Sequence, residues 1–159
     1  MEIFYQKVLS FIRNHDLEII MIFIIQYFPY IPFIIYPCVL FYLFITKHSL
    51  FLVTLLKPLI AFLFVTIFRK IVNRPRPYES MDIQPLVGHK KGESFPSRHA
   101  VSAMIIALVC LDIHVLLGMI LLVVAIIICI SRIVAGIHYV SDVCVSIGIA
   151  VIIYLIQFF

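Results

Sequence analysis

A short polar segment near the end of the sequence, SRIVAGIHYVSD (residues 131–142), contains an arginine, a histidine and an aspartate. The adjoining stretches, residues 113–131 and 143–159, contain no Asp, Glu, Lys or Arg. His138 and Asp142 are four residues apart, so on a helix they would share one face. A carboxylate in that position can accept a hydrogen bond from one imidazole nitrogen and direct the other outward. We therefore expect His138 to be an oriented, reactive histidine.

Two further polar clusters precede this segment: RKIVNRPRP (residues 69–77) and SFPSRHA (residues 94–100). Clustered arginines suit a phosphate, because the guanidinium fork matches its oxygens. Pro96 and Ser97 stand where a helix should begin, and the free N–H groups of a helix start bind anions. His99 is a potential acid. Together the three clusters indicate phosphoryl transfer through a histidine nucleophile.

The composition indicates which kind of protein holds these residues. The chain has 159 residues, of which 64% are hydrophobic and 13% charged, and its mean hydropathy is +1.19. Such a sequence cannot cover a soluble domain with polar surface. We expect one integral-membrane domain over residues 1–159, an all-α helix bundle with five to six transmembrane helices. The net charge of +4 is not read as a nucleic-acid signal, and the four cysteines show no metal-ligand spacing.

Apolar runs of about 20 residues are long enough to cross a membrane. We predict five spans, at residues 31–47, 50–70, 98–111, 115–131 and 138–159. Residues 16–28 form either a half-length interfacial helix or a tilted sixth span, because Pro29 and Pro32 end the helical pattern. The first residues place Phe4, Val8, Phe11 and Ile12 at helical spacing. That spacing predicts an amphipathic helix on the membrane surface.

This topology brings the three polar clusters to one membrane face. Eight of the twelve basic residues then share that face: Arg69, Lys70, Arg74, Arg76, Lys90, Lys91, Arg98 and Arg132. A single arginine near a span end is more often an anchor that reaches the interface, and a lone His–Asp pair is often structural. Three such clusters on one face of a chain this poor in charge favour a functional site.

The clusters resemble the signature of the type 2 phosphatidic acid phosphatase superfamily, K-x6-R-P, P-S-G-H and S-R-x5-H-x3-D. The third motif matches in full at Ser131, Arg132, His138 and Asp142. The second matches at Pro96, Ser97 and His99, with Arg98 in the glycine position. The first matches at Arg76 and Pro77, with Arg69 in the lysine position and Lys70 beside it.

The resemblance implies a role for each residue. His138 is the nucleophile, Asp142 orients it, and His99 protonates the leaving oxygen. The phosphate is held by Arg69, Arg76, Ser97, Arg98 and Arg132. The family needs no metal or other cofactor.

The resemblance also implies a lipid substrate whose tail stays in the bilayer. Our first choice is undecaprenyl diphosphate, because short chains like this are common among such enzymes and because Lys90 and Lys91 in the loop could contact a second phosphate. Lys70 is a further candidate headgroup contact, and the alternative for the loop lysines is that they are solvated charges. A phosphatidylglycerophosphate or phosphatidate phosphatase is the alternative, and a non-catalytic anion-binding membrane protein is the alternative of a different class. We expect a bacterial inner-membrane location with an extracytoplasmic site, against the raw charge count. The sequence leaves the oligomeric state open.

One charge lies far from these clusters. By helical rise, Lys57 and Asp112 lie at similar depth in the opposite half of the membrane. A buried lysine requires a partner, so we expect either an ion pair with Asp112 or a lysine that reaches the far surface.

Overall fold

The computed structural model describes residues 1–88 and 90–157. Within these ranges the regular structure is helical and contains no β-strand. The helices are α1 (Glu2–Asn14), α2 (Glu18–Tyr27), α3 (Tyr30–Ile45), α4 (Phe51–Val72), α5 (Pro77–Ser80), α6 (Arg98–Leu111), α7 (Val115–Val134) and α8 (Val140–Leu155). The all-α bundle expected from the sequence is confirmed.

Three segments of the described chain are long and apolar enough to cross a membrane: Glu18–Ile45, Phe51–Ser80 and Val115–Val134. Two shorter apolar helices, Arg98–Leu111 and Val140–Leu155, accompany them. These segments correspond to the five predicted spans. The helix of the fifth predicted span, α8, begins two residues later than predicted. The end of that predicted span, residues 158–159, lies outside the described residues.

The first membrane segment differs from the prediction. Residues 16–28 were expected to form either a separate interfacial helix or a sixth span, but residues 18–45 make one candidate span. Phe28 and Pro29, between α2 and α3, both have right-handed helical backbone angles. The helical pattern nevertheless breaks at Pro29, as predicted, because α2 ends at Tyr27 and α3 begins at Tyr30. Residues 16–28 therefore contain a half-length helix, α2, which falls in the same candidate span as α3. The location of α2 at the membrane interface stays a prediction.

Helix α6 lies at the centre of the bundle and packs against α4, α7 and α8. It is buried along most of its length, and several of its buried residues are small: Ala100, Ser102, Ala103 and Ala107. Small side chains let neighbouring helices approach closely, which is how helices pack in lipid. Large apolar residues instead face outward from α3, α4 and α7, among them Phe41, Phe64, Ile67 and Val123. This distribution suits a bilayer.

Helix α1 is amphipathic, as predicted. Its inner face buries Tyr5, Leu9 and Ile12, whereas Ile3 and Phe11 are exposed. The buried face packs beside the segment 78–86 and the end of α7. The N-terminal helix therefore lies at the same end of the bundle as the segment 131–142.

Candidate active site

His138 and Asp142 lie together at the start of α8. The Nδ1 atom of His138 is 3.5 Å from Oδ2 of Asp142, and both side chains are buried. The predicted reason for this proximity is wrong, because His138 lies in the turn before α8 rather than on the helix. Asp142 instead caps the helix start, and its Oδ2 accepts a hydrogen bond of 2.9 Å from the backbone N–H of Tyr139. The cap fixes the carboxylate below the imidazole.

Two residues that sequence reasoning did not select as site residues also hold the Asp142 carboxylate. Arg74 donates from Nη1 to Oδ1 at 2.7 Å, and the hydroxyl of Ser94 donates to Oδ2. The Arg74 guanidinium stacks over the Tyr139 ring, 4.0 Å from its centre. Neither residue belongs to the motif pattern. The proximity of both to the motif residues in sequence was the available signal.

The backbone of His138 is fixed on both sides. Its N–H donates to the carbonyl of Arg132 at 3.2 Å, and its carbonyl accepts from the Tyr5 hydroxyl at 3.0 Å. Arg76, which is 1% exposed, donates to the neighbouring carbonyl of Ile137 at 3.0 Å. Sequence reasoning missed Tyr5, and no sequence signal links two residues so far apart.

Several predicted phosphate ligands carry buried polar atoms without a partner. Nε of Arg69, Nε of Arg132 and Oγ of Ser97 form no hydrogen bond with any described residue. One terminal nitrogen of each guanidinium is held: Nη2 of Arg69 donates to the carbonyl of Glu93, and Nη2 of Arg132 donates to the carbonyl of Ile25 at 2.9 Å. Buried polar groups are rarely left unpaired in proteins. These atoms are therefore available to bind a polyoxygenated ligand.

The cations of the three motifs form one electrostatic cluster. The charges of Arg98 and Arg76 both act on Arg69, and the charge of Arg76 acts on Arg132. Arg76 and Arg69 also act on His138. Burying like charges together is costly unless an anion compensates them. The site therefore has the charge expected of a phosphate-binding pocket.

The second motif forms the start of α6, as predicted. Ser97 is the N-cap, and Arg98 is the first residue of the helix. Arg98 is not among the residues with positive φ, so its backbone does not require the glycine of the family pattern. His99 lines a cleft of about 580 Å³ together with Arg132.

The three lysines named as headgroup contacts are exposed. Lys70 is on the outer side of α4, and Lys91 lies in the loop before α6. The Lys90 ammonium pairs with Glu93 at 3.3 Å, while its side chain is 79% exposed. Their contact with a headgroup stays a prediction.

Burial controls the protonation of His138. It lowers the pKa of His138 to about 4; Asp142 opposes this shift, and the charge of Arg76 reinforces it. The imidazole is therefore neutral at ordinary pH, as a nucleophile must be. Its Nδ1 lies 3.5 Å from Oδ2 of Asp142 but forms no hydrogen bond with it in this geometry. A tautomer protonated at Nδ1 would direct that N–H toward the carboxylate and leave the Nε2 lone pair unprotonated.

Within residues 1–88 and 90–157, no group of three His, Cys, Asp or Glu side chains could hold a metal ion. The described cysteines are free thiols.

Known proteins share both the sequence pattern and the fold. The PAP2 superfamily model matches residues 46–159, whereas no curated protein matches the chain. The crystal structure of Aquifex aeolicus LpxE has a TM-score of 0.75 at 25% identity, covering 96% of this chain and 90% of that chain. A transmembrane PAP2-type phosphatidylglycerolphosphate phosphatase from Bacillus subtilis has a TM-score of 0.61 at 20% identity, covering 96% and 89%.

The family match covers well over half of the chain, and its residues include all three polar clusters. The second neighbour, at 20% identity, supports the fold alone. The chain therefore belongs to the PAP2 superfamily and is a multi-pass membrane phosphatase, a hydrolase that acts on phosphate esters.

Proposed function

We propose that this protein removes phosphate from a membrane lipid through a phosphohistidine intermediate. The observation that carries the proposal is the set of unpartnered buried atoms on Arg69, Arg132 and Ser97, near a histidine whose other nitrogen faces Asp142. Preorganised donors of this kind stabilise the charge that develops on a transferring phosphoryl group. A bound phosphate would satisfy them.

In the first step, the Nε2 lone pair of His138 attacks phosphorus and the bond to the lipid oxygen breaks. His99 donates a proton to that oxygen, which leaves as an alcohol or as a lipid phosphate. Asp142 accepts the Nδ1–H of the resulting imidazolium and stabilises its charge. In the second step, the now unprotonated His99 takes a proton from water as the water oxygen attacks phosphorus, and the bond between phosphorus and Nε2 breaks. Phosphate departs, His138 returns to its neutral form, and His99 is protonated again.

The clefts support a lipid as the substrate. The cleft beside His99 and Arg132 adjoins a smaller one of about 240 Å³ that shares Phe33 and His99 with it. A third, almost entirely apolar, shares Phe33, Phe62 and Ser102 with the second. The three clefts lead from the cations toward apolar side chains of α3 and α4. Apolar walls at that depth suit a hydrocarbon tail.

Undecaprenyl diphosphate is our first choice of substrate. Its two phosphates call for more positive charge than a monoester, and Arg98 adds a cation next to Arg69. The alternative is phosphatidylglycerophosphate or phosphatidate, and the former is the lipid named for the Bacillus subtilis neighbour.

Phosphate release by the purified protein in lipid nanodiscs tests the proposal. Undecaprenyl diphosphate, phosphatidylglycerophosphate and phosphatidate are compared at equal mole fraction, with His138→Asn as the control. We expect release from the diphosphate to be at least tenfold faster than from the phospholipids. A faster phospholipid reaction would replace the first choice. Phosphate binding without release from any lipid would support the non-catalytic alternative.

We further propose that the protein lies in a bacterial inner membrane with its site on the extracytoplasmic face. Five crossings put the end of the chain on the face opposite the site. The test is a single cysteine after residue 159 in a variant without native cysteines, labelled in intact cells. We expect an impermeant maleimide not to reach it, whereas a permeant one does. Labelling by the impermeant reagent would reverse the orientation.

A further inference from the structure

The nucleophile contacts a helix that lies outside the matched family region. Helix α1 ends at Asn14, whereas the family match begins at residue 46. The Tyr5 hydroxyl nevertheless donates to the carbonyl of His138 at 3.0 Å, across 133 residues of sequence. Tyr5 is 0% exposed, so water cannot replace this hydrogen bond.

Helix α1 is held against the site by several contacts besides this one. Leu9 packs against the turn at Gly136, where its Cδ1 would lie 3.6 Å from an added Cβ. Arg13 donates to the carbonyl of Gln84 at 2.9 Å. Gln6 donates to the carbonyl of Asp82 at 3.3 Å. The contacts of α1 thus fix the location of the Tyr5 hydroxyl.

The turn that carries His138 is held by several segments, and Tyr5 reaches the His138 carbonyl itself. Gly136 has φ of 73°, a left-handed conformation that follows α7 and turns the chain toward α8. The Leu86 N–H donates to the carbonyl of Ala135 at 3.2 Å, and Arg76 donates to the carbonyl of Ile137. The imidazole has less support, because its Nδ1 lies 3.5 Å from Asp142 without forming a hydrogen bond. Its orientation therefore depends on how the backbone of His138 is held.

We propose that Tyr5 is a positioning residue for the nucleophile: its hydroxyl holds the carbonyl of His138, and so aims the imidazole at the phosphate. This inference rests on the proposed phosphohistidine mechanism. Burial, followed by the charge of Asp142, raises the pKa of Tyr5 to about 12. The phenol is therefore a hydrogen-bond donor at every pH at which the enzyme works.

The chain offers a matched pair of tyrosines for the test. Tyr5→Phe removes only the hydroxyl that reaches His138. Tyr154→Phe removes a hydroxyl that hydrogen-bonds Asp112 at 2.7 Å, at the other end of the bundle. The probe is a nitrophenyl phosphate, because its good leaving group makes the first step depend on nucleophilic attack. Rapid-quench measurement of phosphohistidine gives the rate of that step, and thermal unfolding reports the folded fraction.

We expect Tyr5→Phe to slow phosphohistidine formation by about tenfold, because small misplacement of a reacting group costs between tenfold and a hundredfold in rate. KM should stay within twofold, since no phosphate ligand is touched. Tyr154→Phe should match the wild type. Equal rates in Tyr5→Phe and wild type would refute the positioning role alone. A wild-type protein that forms no phosphohistidine would refute the proposed mechanism and this inference with it.

A second variant separates positioning from general loosening of α1. Leu9 is 2% exposed, and its hydrocarbon side chain cannot hydrogen-bond to His138. Leu9→Ala should lower the unfolding temperature at least as much as Tyr5→Phe, because it leaves a cavity, while slowing phosphohistidine formation less. If Leu9→Ala slows that step as much as Tyr5→Phe, the hydroxyl has no specific role and the proposal is overturned.

Discussion

The two ends of the bundle treat buried charge in opposite ways. At the far end, Lys57 is 7% exposed, and its ammonium donates to the carbonyl of Tyr154 and stacks over the Tyr154 ring. The Tyr154 hydroxyl in turn donates to Asp112 at 2.7 Å. At the site end, Arg69 is 4% exposed and keeps its Nε without a partner among the described residues.

The difference separates structural charge from functional charge. Two alternatives were open for Lys57, an ion pair with Asp112 or a side chain that reaches the far surface. The ion pair is not formed within 4.0 Å in the described part of the chain, and Lys57 is buried rather than at the surface. Tyr154 bridges Lys57 and Asp112 instead. The Lys57 ammonium thus donates its hydrogen bond to another residue of the protein, and Tyr154 connects it to Asp112. The site-end cations leave donors unused, which is costly unless a ligand accepts from them. Burial alone would not have distinguished the two ends.

The largest expected effect concerns the two histidines of the site end. His138→Ala should abolish turnover of every substrate, because no other described group replaces the nucleophile. His99→Ala should lower activity on the lipid by about 10²–10⁴-fold, the usual contribution of a general acid. It should keep a larger share of the first step on a nitrophenyl phosphate. Rapid-quench assays on both substrates decide the roles. Retained nitrophenyl phosphate activity in His138→Ala with loss in His99→Ala would reverse them.

The next effect compares the two buried cations directly. Arg69→Gln should lower kcat/KM by about 10²–10³-fold, because it removes charge and a donor from the phosphate. Lys57→Gln should leave kcat/KM within twofold and lower only the unfolding temperature. Phosphate release and thermal unfolding are measured on both variants in the same lipid. An equal loss of activity in the two would show that the ends do not differ in function.

A third test uses acid. Because burial lowers the pKa of His138 to about 4, its imidazole should stay neutral as the pH falls through 6.5 and protonate only near 4. In histidine-labelled NMR spectra, the His138 signal, assigned by its loss in His138→Asn, should not titrate between pH 7 and 5. The same shift destabilises the folded protein below pH 6.5, where the unfolded chain binds the proton more readily. A midpoint near 6.5 would contradict the buried, neutral nucleophile.

The smallest effect concerns the clamp on Asp142. Arg74→Gln keeps a donor near Oδ1 but removes the charge and the stacking on Tyr139, so kcat should fall by about tenfold. The control is Lys47→Gln, which removes an exposed charge at the far end and should leave kcat unchanged. Phosphohistidine formation should slow in step with kcat if Arg74 acts through Asp142. A change in KM alone would assign Arg74 to substrate binding instead.

The location of the candidate catalytic residues at one site could be predicted because they lie in short motifs whose spacing follows from local chemistry, whereas their catalytic roles stay predictions. His138, Asp142, Arg132 and Ser131 lie within twelve consecutive positions, and the membrane topology brings the other motifs to the same face. The details of contact could not be predicted. The sequence placed His138 and Asp142 on one helical face, but His138 precedes α8. The Asp142 carboxylate caps the helix start by accepting from the N–H of Tyr139, one residue after His138, and so lies 3.5 Å from the imidazole.

Contacts between distant segments were beyond sequence reasoning for a physical reason. Tyr5 reaches His138 only because α1 folds back over the turn, and a pattern within α1 reports amphipathicity, not its partner. The relation between α2 and α3 was not predictable from local signals either. The helical pattern breaks at Pro29, as the sequence predicts, but both helices fall in one candidate span. In both cases the arrangement of neighbouring elements decided what local preference left open.

The hydrogen bond from Arg132 to the carbonyl of Ile25 links the site to a helix outside residues 46–159, which the family model matches. Every residue has the same carbonyl, so a substitution at position 25 keeps this acceptor as long as α2 keeps its location. That location depends on packing, because Ile25 is 2% exposed and lies in an apolar cluster with Ala135 and Ile137. A substitution at position 25 therefore acts on the Arg132 guanidinium through the packing of α2, and not through the hydrogen-bonding chemistry of the new side chain.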